Sequence, residues 1–184
     1  AQWKNVRAHY RDFSGDALAR NFKDAVNKGT YKDASNRNDI TDVKAVHNAT
    51  DLFVYVKTAQ PITEYEEGDK GWMNLLIGTD AAEQSFEGYD FVINRNPRAD
   101  GKTSIEKSTG GYNWESAGDA QIFMYDDGDV LVYKIPLAAL NLTADNCHIR
   151  FKVTDNVTEP DNIMDYYISG DCAPIGRMSY AYGY

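Results

Sequence analysis

The amino-acid sequence predicts an all-β fold: an antiparallel β-sandwich, jelly-roll-like, with a short irregular N-terminal arm. Three observations carry this. From Ile40 onward, apolar–polar alternations recur with turn residues roughly every 8 to 12 positions, making about nine or ten strands. Residues 40–59 and 120–136 each read as a hairpin. WMNLLIGT, residues 72–79, is a short continuous apolar run, the mark of a central strand buried on both faces. At 184 residues the chain fits one domain, with a core large enough to need no staples.

The elements follow in order. Residues 1–30 are an arm or linker. DFSGDALARNFKDAVNKGTYKDASNRND is polar and turn-rich, and residues 14–27 predict one short helix, with Ser14 as N-cap and Gly29 ending it. Residues 31–184 are the sandwich. ITDVKAVHN and DLFVYVKTA are strands joined at Asn48–Asp51, PITEYEEGDKG is a loop, and WMNLLIGT is the central strand. In GYDFVINR, residues 88–95, Tyr89, Phe91 and Ile93 alternate onto one face, and Asp90, Val92 and Asn94 onto the other. NPRADGKT turns the chain, TSIEKS is a short strand, and residues 108–118 read as a Gly- and aromatic-rich loop. AQIFMYDDGDVLVYKIP is a hairpin with Asp127-Gly128 at its tip. LAALNL has room for one helical turn. HIRFKVTDN points Ile149, Phe151 and Val153 inward and His148, Arg150 and Lys152 outward; IMDYYISG and GRMSYAY supply the last two strands.

Composition narrows the function. The net charge is -9, the acidic residues are dispersed and no basic stripe appears, so nucleic acid is not the expected partner. No apolar run is long enough to span a membrane. No signal peptide is visible, so the expectation is a mature secreted or cell-surface chain, or an excised module. Cys147 and Cys172 read either as two free thiols or as one disulfide between neighbouring strands; two cysteines do not make a structural zinc site. Sequons begin at Asn48, Asn141 and Asn156, and carry no meaning in a bacterial chain.

Catalytic machinery is poorly supported. His9, His47 and His148 are the three histidines, each in a setting that reads as structural or surface, and no nucleophile elbow, zinc-protease motif or phosphate loop occurs. Asp90 and Glu106, both on strands, are the formal carboxylate pair of a small glycosidase or lyase. Oxygen ligands make calcium the expected metal, drawn from TDAAE at 79–83, DDGD at 126–129, and Asp155, Asn156, Asp161 and Asp165. The plainer reading of the last four, and of Asp171, is hydrogen-bonded turns that close the sheet ends. No organic cofactor is expected.

Aromatics beside polar strand residues are the strongest local signal. A sugar offers an apolar C–H face and a rim of hydroxyls, so its site needs flat rings and polar side chains around them. Trp72, Tyr112 and Trp114 lie near Asp90, Asn94, Arg95 and Glu106 in sequence, and these seven are the candidate carbohydrate-binding residues. Trp114, in the glycine-rich GGYNW, is the expected ligand-facing ring; Trp72 also reads as core, and Asp90 as an ion-pair partner of Arg95 or Arg177. Trp3, in the arm, carries no signal.

WMNLLIGTD, GYDFVINR, IEKS followed by GGYNW, FKVTDN and IMDYYISGDCAPIGRMSYAY occur in an order and spacing that resembles the family 9 carbohydrate-binding modules and their DOMON-like relatives, from about Tyr31 to the C-terminus. The resemblance implies a non-catalytic β-sandwich, often with structural calcium, that holds a sugar between aromatic rings, frequently at a chain end, beside a glycoside hydrolase or similar enzyme. Val153 stands where relatives tend to have Trp, Cys172 sits in a motif that does not require cysteine, and the tryptophan pair that clamps sugar has no residue-by-residue match. The expectation is therefore a monomeric module that binds polysaccharide or oligosaccharide, covalently linked to a catalytic domain. The alternatives are a small glycosidase or lyase, and a structural or protein-interaction sandwich.

Overall fold

The computed structural model describes residues 2–17, 20–23, 30–33, 37–79 and 84–184. It is all-β and antiparallel. The strands are β1 (His9–Arg11), β2 (Arg20–Lys23), β3 (Thr30–Asp33), β4 (Ile40–His47), β5 (Asp51–Thr58), β6 (Asn74–Gly78), β7 (Phe91–Ile93), β8 (Lys102–Gly110), β9 (Asn113–Tyr125), β10 (Val130–Pro136), β11 (Ile149–Asp155), β12 (Asp171–Ala173) and β13 (Tyr180–Tyr182). Eleven form one sheet in the order β1-β4-β5-β10-β9-β8-β7-β6-β11-β12, with β13 also on β11; β2 and β3 pair separately.

The sheet curls so that β4, β5 and β10 face β6, β7 and β11, and their inner side chains make the main core: Val43, Leu52, Val54, Val56, Leu131 and Tyr133 against Leu75, Ile77, Phe91, Ile93, Phe151 and Val153. Alternation explains the facing. Leu52, Val54 and Val56 of β5 point in, so Phe53, Tyr55 and Lys57 point out. β6 is buried on both faces, as its apolar run predicts. Leu75 and Ile77 meet the main core, while Leu76 joins an outer cluster with Phe86, Tyr89, Val92, Ile163, Tyr166 and Cys172.

The two ends of the sheet meet at a seam closed by side chains. The Ile40 amide donates to Asp171 Oδ2 at 2.6 Å. Tyr10 stacks on Tyr180 at 4.6 Å and donates to the Ala181 carbonyl at 2.5 Å, and His47 Nδ1 lies 2.7 Å from the Tyr182 hydroxyl.

Several elements differ from the sequence reading. The helix over 14–27 is not formed at Arg20–Lys23, which pairs with Thr30–Asp33 as a hairpin; residues 18, 19 and 24–29, including the Gly29 stop, lie outside the described residues. β1 pairs with β4, so the arm contributes an edge strand. Residues 108–118 are not a loop: β8 and β9 run into a tight hairpin at Gly110 and Gly111, whose φ of +119° and +55° suit glycine. IMDYYISG is a loop with a short 3-10 turn at Asp165–Tyr167, and its last strand begins only at Asp171. Tyr89 packs with the outer cluster, not beside Phe91, because the Phe86–Tyr89 turn precedes the strand. Lys152 points away from the main core but is fully buried, its ammonium bonded to the Pro174 carbonyl. Both cysteines are buried free thiols.

Candidate functional site

The seven predicted carbohydrate residues separate into two groups. Asp90 and Asn94 are interior. Asp90 Oδ2 accepts from the Thr79 amide at 2.8 Å and the Thr79 hydroxyl at 2.6 Å, not from Arg95 or Arg177. Asn94 is 0% exposed; it donates to the carbonyls of Trp72 and Met73 at 3.2 and 2.9 Å and accepts from the Thr103 hydroxyl at 2.9 Å. Its φ of 78° ends β7, a conformation asparagine tolerates better than most residues. Trp72 is core at 3% exposure, its indole N–H donating to Thr63 at 2.8 Å. The expectation that Asp90 and Asn94 reach a ligand is corrected, because their polar groups are used by the fold. Trp72, though core, also borders a cavity of about 820 Å3 with Tyr65, Lys70 and Arg98.

Arg95, Glu106, Tyr112 and Trp114 do come together. Arg95 donates to Glu106 Oε2 at 2.7 Å, and Glu106 Oε1 accepts from Asn96 at 2.8 Å and Ser104 at 2.9 Å. The Arg95 guanidinium lies 5.7 Å from the Tyr112 ring centre. Tyr112 meets Phe86 and Trp114 edge-to-face at 4.9 and 5.4 Å. This is a brace between β8, β9 and the outer cluster. Phe86 and Tyr112 also border an open cavity of about 560 Å3 with Glu87, Asn113 and Asp161, and the Tyr112 phenol is pushed up by burial.

The calcium expectation finds no fit at the residues chosen for it. Asp155 is buried against Arg37, Oδ2 to Nε at 2.8 Å, and also accepts from the Met73 amide at 2.9 Å. Asp165 accepts from the Glu159 amide and the Ser169 hydroxyl, closing a turn. The Asn156 amide donates to Gly71, and Asp161 is exposed. In TDAAE, residues 80–83 lie outside the described residues. The one carboxylate group close enough to share an ion, among the described residues, is Asp12, Asp16 and Asp171 at the seam, which the sequence reading did not choose.

A further open aromatic surface lies on the outer face of β5, β10 and β9. Register sets it. Val132 of β10 sits opposite Tyr55 of β5 and Phe123 of β9; Val130 is opposite Lys57 and Tyr125; Lys134 is opposite Phe53 and Gln121. Small valines therefore form a floor along β10 between two aromatic walls. Trp3, on the N-terminal 3-10 turn Gln2–Asn5, packs on this floor, its ring 5.1 Å from Tyr55. Lys44 holds that turn by donating to the Trp3 carbonyl at 3.1 Å, with its ammonium 5.4 Å from the Tyr55 ring. The result is an open groove of about 460 Å3 with Asn48, Asp51, Asp126 and Lys134 at its rim. Phe123 and Tyr125 are 38% and 51% exposed. Lys134 faces Asp51 at 3.9 Å, and Lys57 is turned to Asp129.

The sequence reading missed these residues, Trp3 included. The signal was present: two aromatics two positions apart in DLFVYVK and two more in QIFMYDD, each on the face opposite the core residues of its own strand. No protein-family model matches the chain, and no curated protein matches it.

Proposed function

We propose that this chain is a non-catalytic carbohydrate-binding module whose ligand lies in the groove over β10. The observation that carries the reading is the set of exposed rings on a sheet face whose backbone is already paired. β10 is hydrogen-bonded to β5 on one side and β9 on the other, so an extended peptide could not add a strand there. Recognition must come from side chains. Phe53, Phe123, Tyr125 and Trp3 offer apolar surface to the C–H faces of sugar rings, and Asp51, Asp126, Asn48 and Lys134 offer acceptors and donors to hydroxyls. The ordered likeness to family 9 carbohydrate-binding modules supports the same class. An attachment to a polysaccharide-active enzyme outside the cell, with the module anchoring that enzyme to its substrate, follows from the same likeness.

The glycosidase alternative draws less support. Asp90 and Glu106 have their oxygens engaged by Thr79 and by Arg95, Asn96 and Ser104, and a general acid needs reach to its substrate. No helix of the described residues is long and apolar enough to cross a membrane.

Affinity electrophoresis against soluble cellulose derivatives, xylan, mannan, β-1,3-glucan and pectin tests the reading. At least one should retard the protein without release of reducing ends, and Tyr125→Ala should abolish the retardation while unfolding at the same temperature. No retardation by any of them at high polymer concentration, or retardation unchanged in Tyr125→Ala and Phe123→Ala, removes the assignment.

A further inference from the structure

We propose that the groove takes an internal run of a glycan chain, threaded along β10 across the Asp51–Lys134 pair, and is not built for a chain end. This rests on the glycan reading above. The observation behind it is a second cavity of about 230 Å3, lined by Lys102, Asp119, Gln121 and Pro136, that shares Asp51 and Lys134 with the aromatic groove.

The sheet register makes the two one surface. Val130, Val132, Lys134 and Pro136 alternate onto the same face of β10. Moving along that face, the flanking pairs change from Lys57 and Tyr125, through Tyr55 and Phe123, to Phe53 and Gln121, with Asp51 opposite Pro136 at the far end. Lys102 of β8 stands beside Gln121. From Val130 to Pro136 the trough is about 20 Å long at roughly 3.3 Å per residue, which suits a run of several sugar units rather than one ring.

A site for a chain end needs a wall where the chain stops. Here the groups at the end of the aromatic half, Asp51 and Lys134, also line the next cavity. They lie where the two cavities join, and from Lys134 the surface continues across β9 and β8 to polar side chains. Gln121 is exposed and Asp119 is held by Arg98 at 2.7 Å. The aromatic half supplies stacking and the polar half hydroxyl contacts, so affinity should grow as a longer chain reaches the second half.

Calorimetric titration with ladders of β-1,4-linked gluco-, xylo- and manno-oligosaccharides, disaccharide to hexasaccharide, each also with its reducing end reduced to the alditol, tests this. Affinity should rise about tenfold or more from disaccharide to the longest effective chain, since every added subsite contributes separately. Alditol and parent should bind alike from the tetrasaccharide upward. Gln121→Ala should bring the tetrasaccharide down toward the disaccharide and leave the disaccharide unchanged. Affinity already complete at one or two units, or lost on reduction of the end, overturns the inference and leaves the glycan reading standing. An unchanged chain-length profile in Gln121→Ala also overturns it. If the broader polymer panel shows no binding at all, the glycan reading falls, and this inference with it.

Discussion

The two halves of the sheet carry similar residues on their outer faces and use them differently. Over β6 and β7 the outer side chains are covered by the chain between β11 and β12, whose Ile163 and Tyr166 pack on Leu76, Val92, Phe86 and Tyr89. Over β5, β10 and β9 the outer face is met, among the described residues, by Trp3 from the N-terminal turn, and Phe123 and Tyr125 stay exposed. Aromatics beside carboxylates thus brace the fold in the first half and border an open groove in the second. A ring next to an acid is not itself a binding signal; what decides is whether a further layer of chain lies over it.

The largest expected effect strikes the covered half. Arg37→Ala should destabilise by about 3–5 kcal/mol, because Asp155 would remain buried without its cation; urea unfolding would show it, and a loss below about 1 kcal/mol would mean the pair behaves as an exposed one. Trp114→Ala comes next. It should cost about 2–3 kcal/mol through lost packing with Tyr112 and leave glycan binding by the folded protein intact. Loss of binding at unchanged stability would invert the comparison and return the site to the β8–β9 hairpin. Tyr125→Ala should do the reverse, lowering affinity about tenfold or more, as a central aromatic anchor does, with the unfolding midpoint unmoved. Calorimetry on the wild type and variant reads both.

The last effect is a pH dependence at the seam that joins the halves. Burial, with Asp16 nearby, pushes the Asp12 carboxyl up to about 7, and burial pushes Asp171 up to about 8. In the unfolded chain both return to the ordinary carboxylate range. The folded state therefore holds protons that the unfolded state has lost, so the stability these two carboxyls contribute is fully present below about pH 4 and is lost as pH rises toward 8. Lys152, lowered by burial to about 8, acts oppositely, adding stability only as pH rises above that point. The urea midpoint should fall between pH 5 and 8, and less steeply in Asp12→Asn. An equal slope in that variant would remove Asp12 from the seam's titration.

Much of the fold was legible. The β4–β5 and β9–β10 hairpins, the doubly buried β6 and the inward face of β11 all follow from local alternation and turn chemistry, which act over a few residues. Where the reading failed, distant chain was responsible. Lys152 alternates as a solvent residue but is roofed. GGYNW looks like a loop because glycines signal turns, yet only the two positions at the hairpin tip turn. Asp90 and Asn94 are unusual strand residues by type alone, but their partners, Thr79 for the first and the Trp72 and Met73 carbonyls and Thr103 for the second, are set by the fold.

The sequence by itself determined the all-β class, the inner face of most strands and the identity of the aromatic and acidic residues available for recognition, because a period of two and a turn residue are local properties. The tertiary structure alone decided which aromatics remain open. That depends on how far the sheet curls, which strands sit two apart across β10, and where the chain after β11 and the N-terminal turn come to rest. These are long-range packing choices, and no short window of residues encodes them.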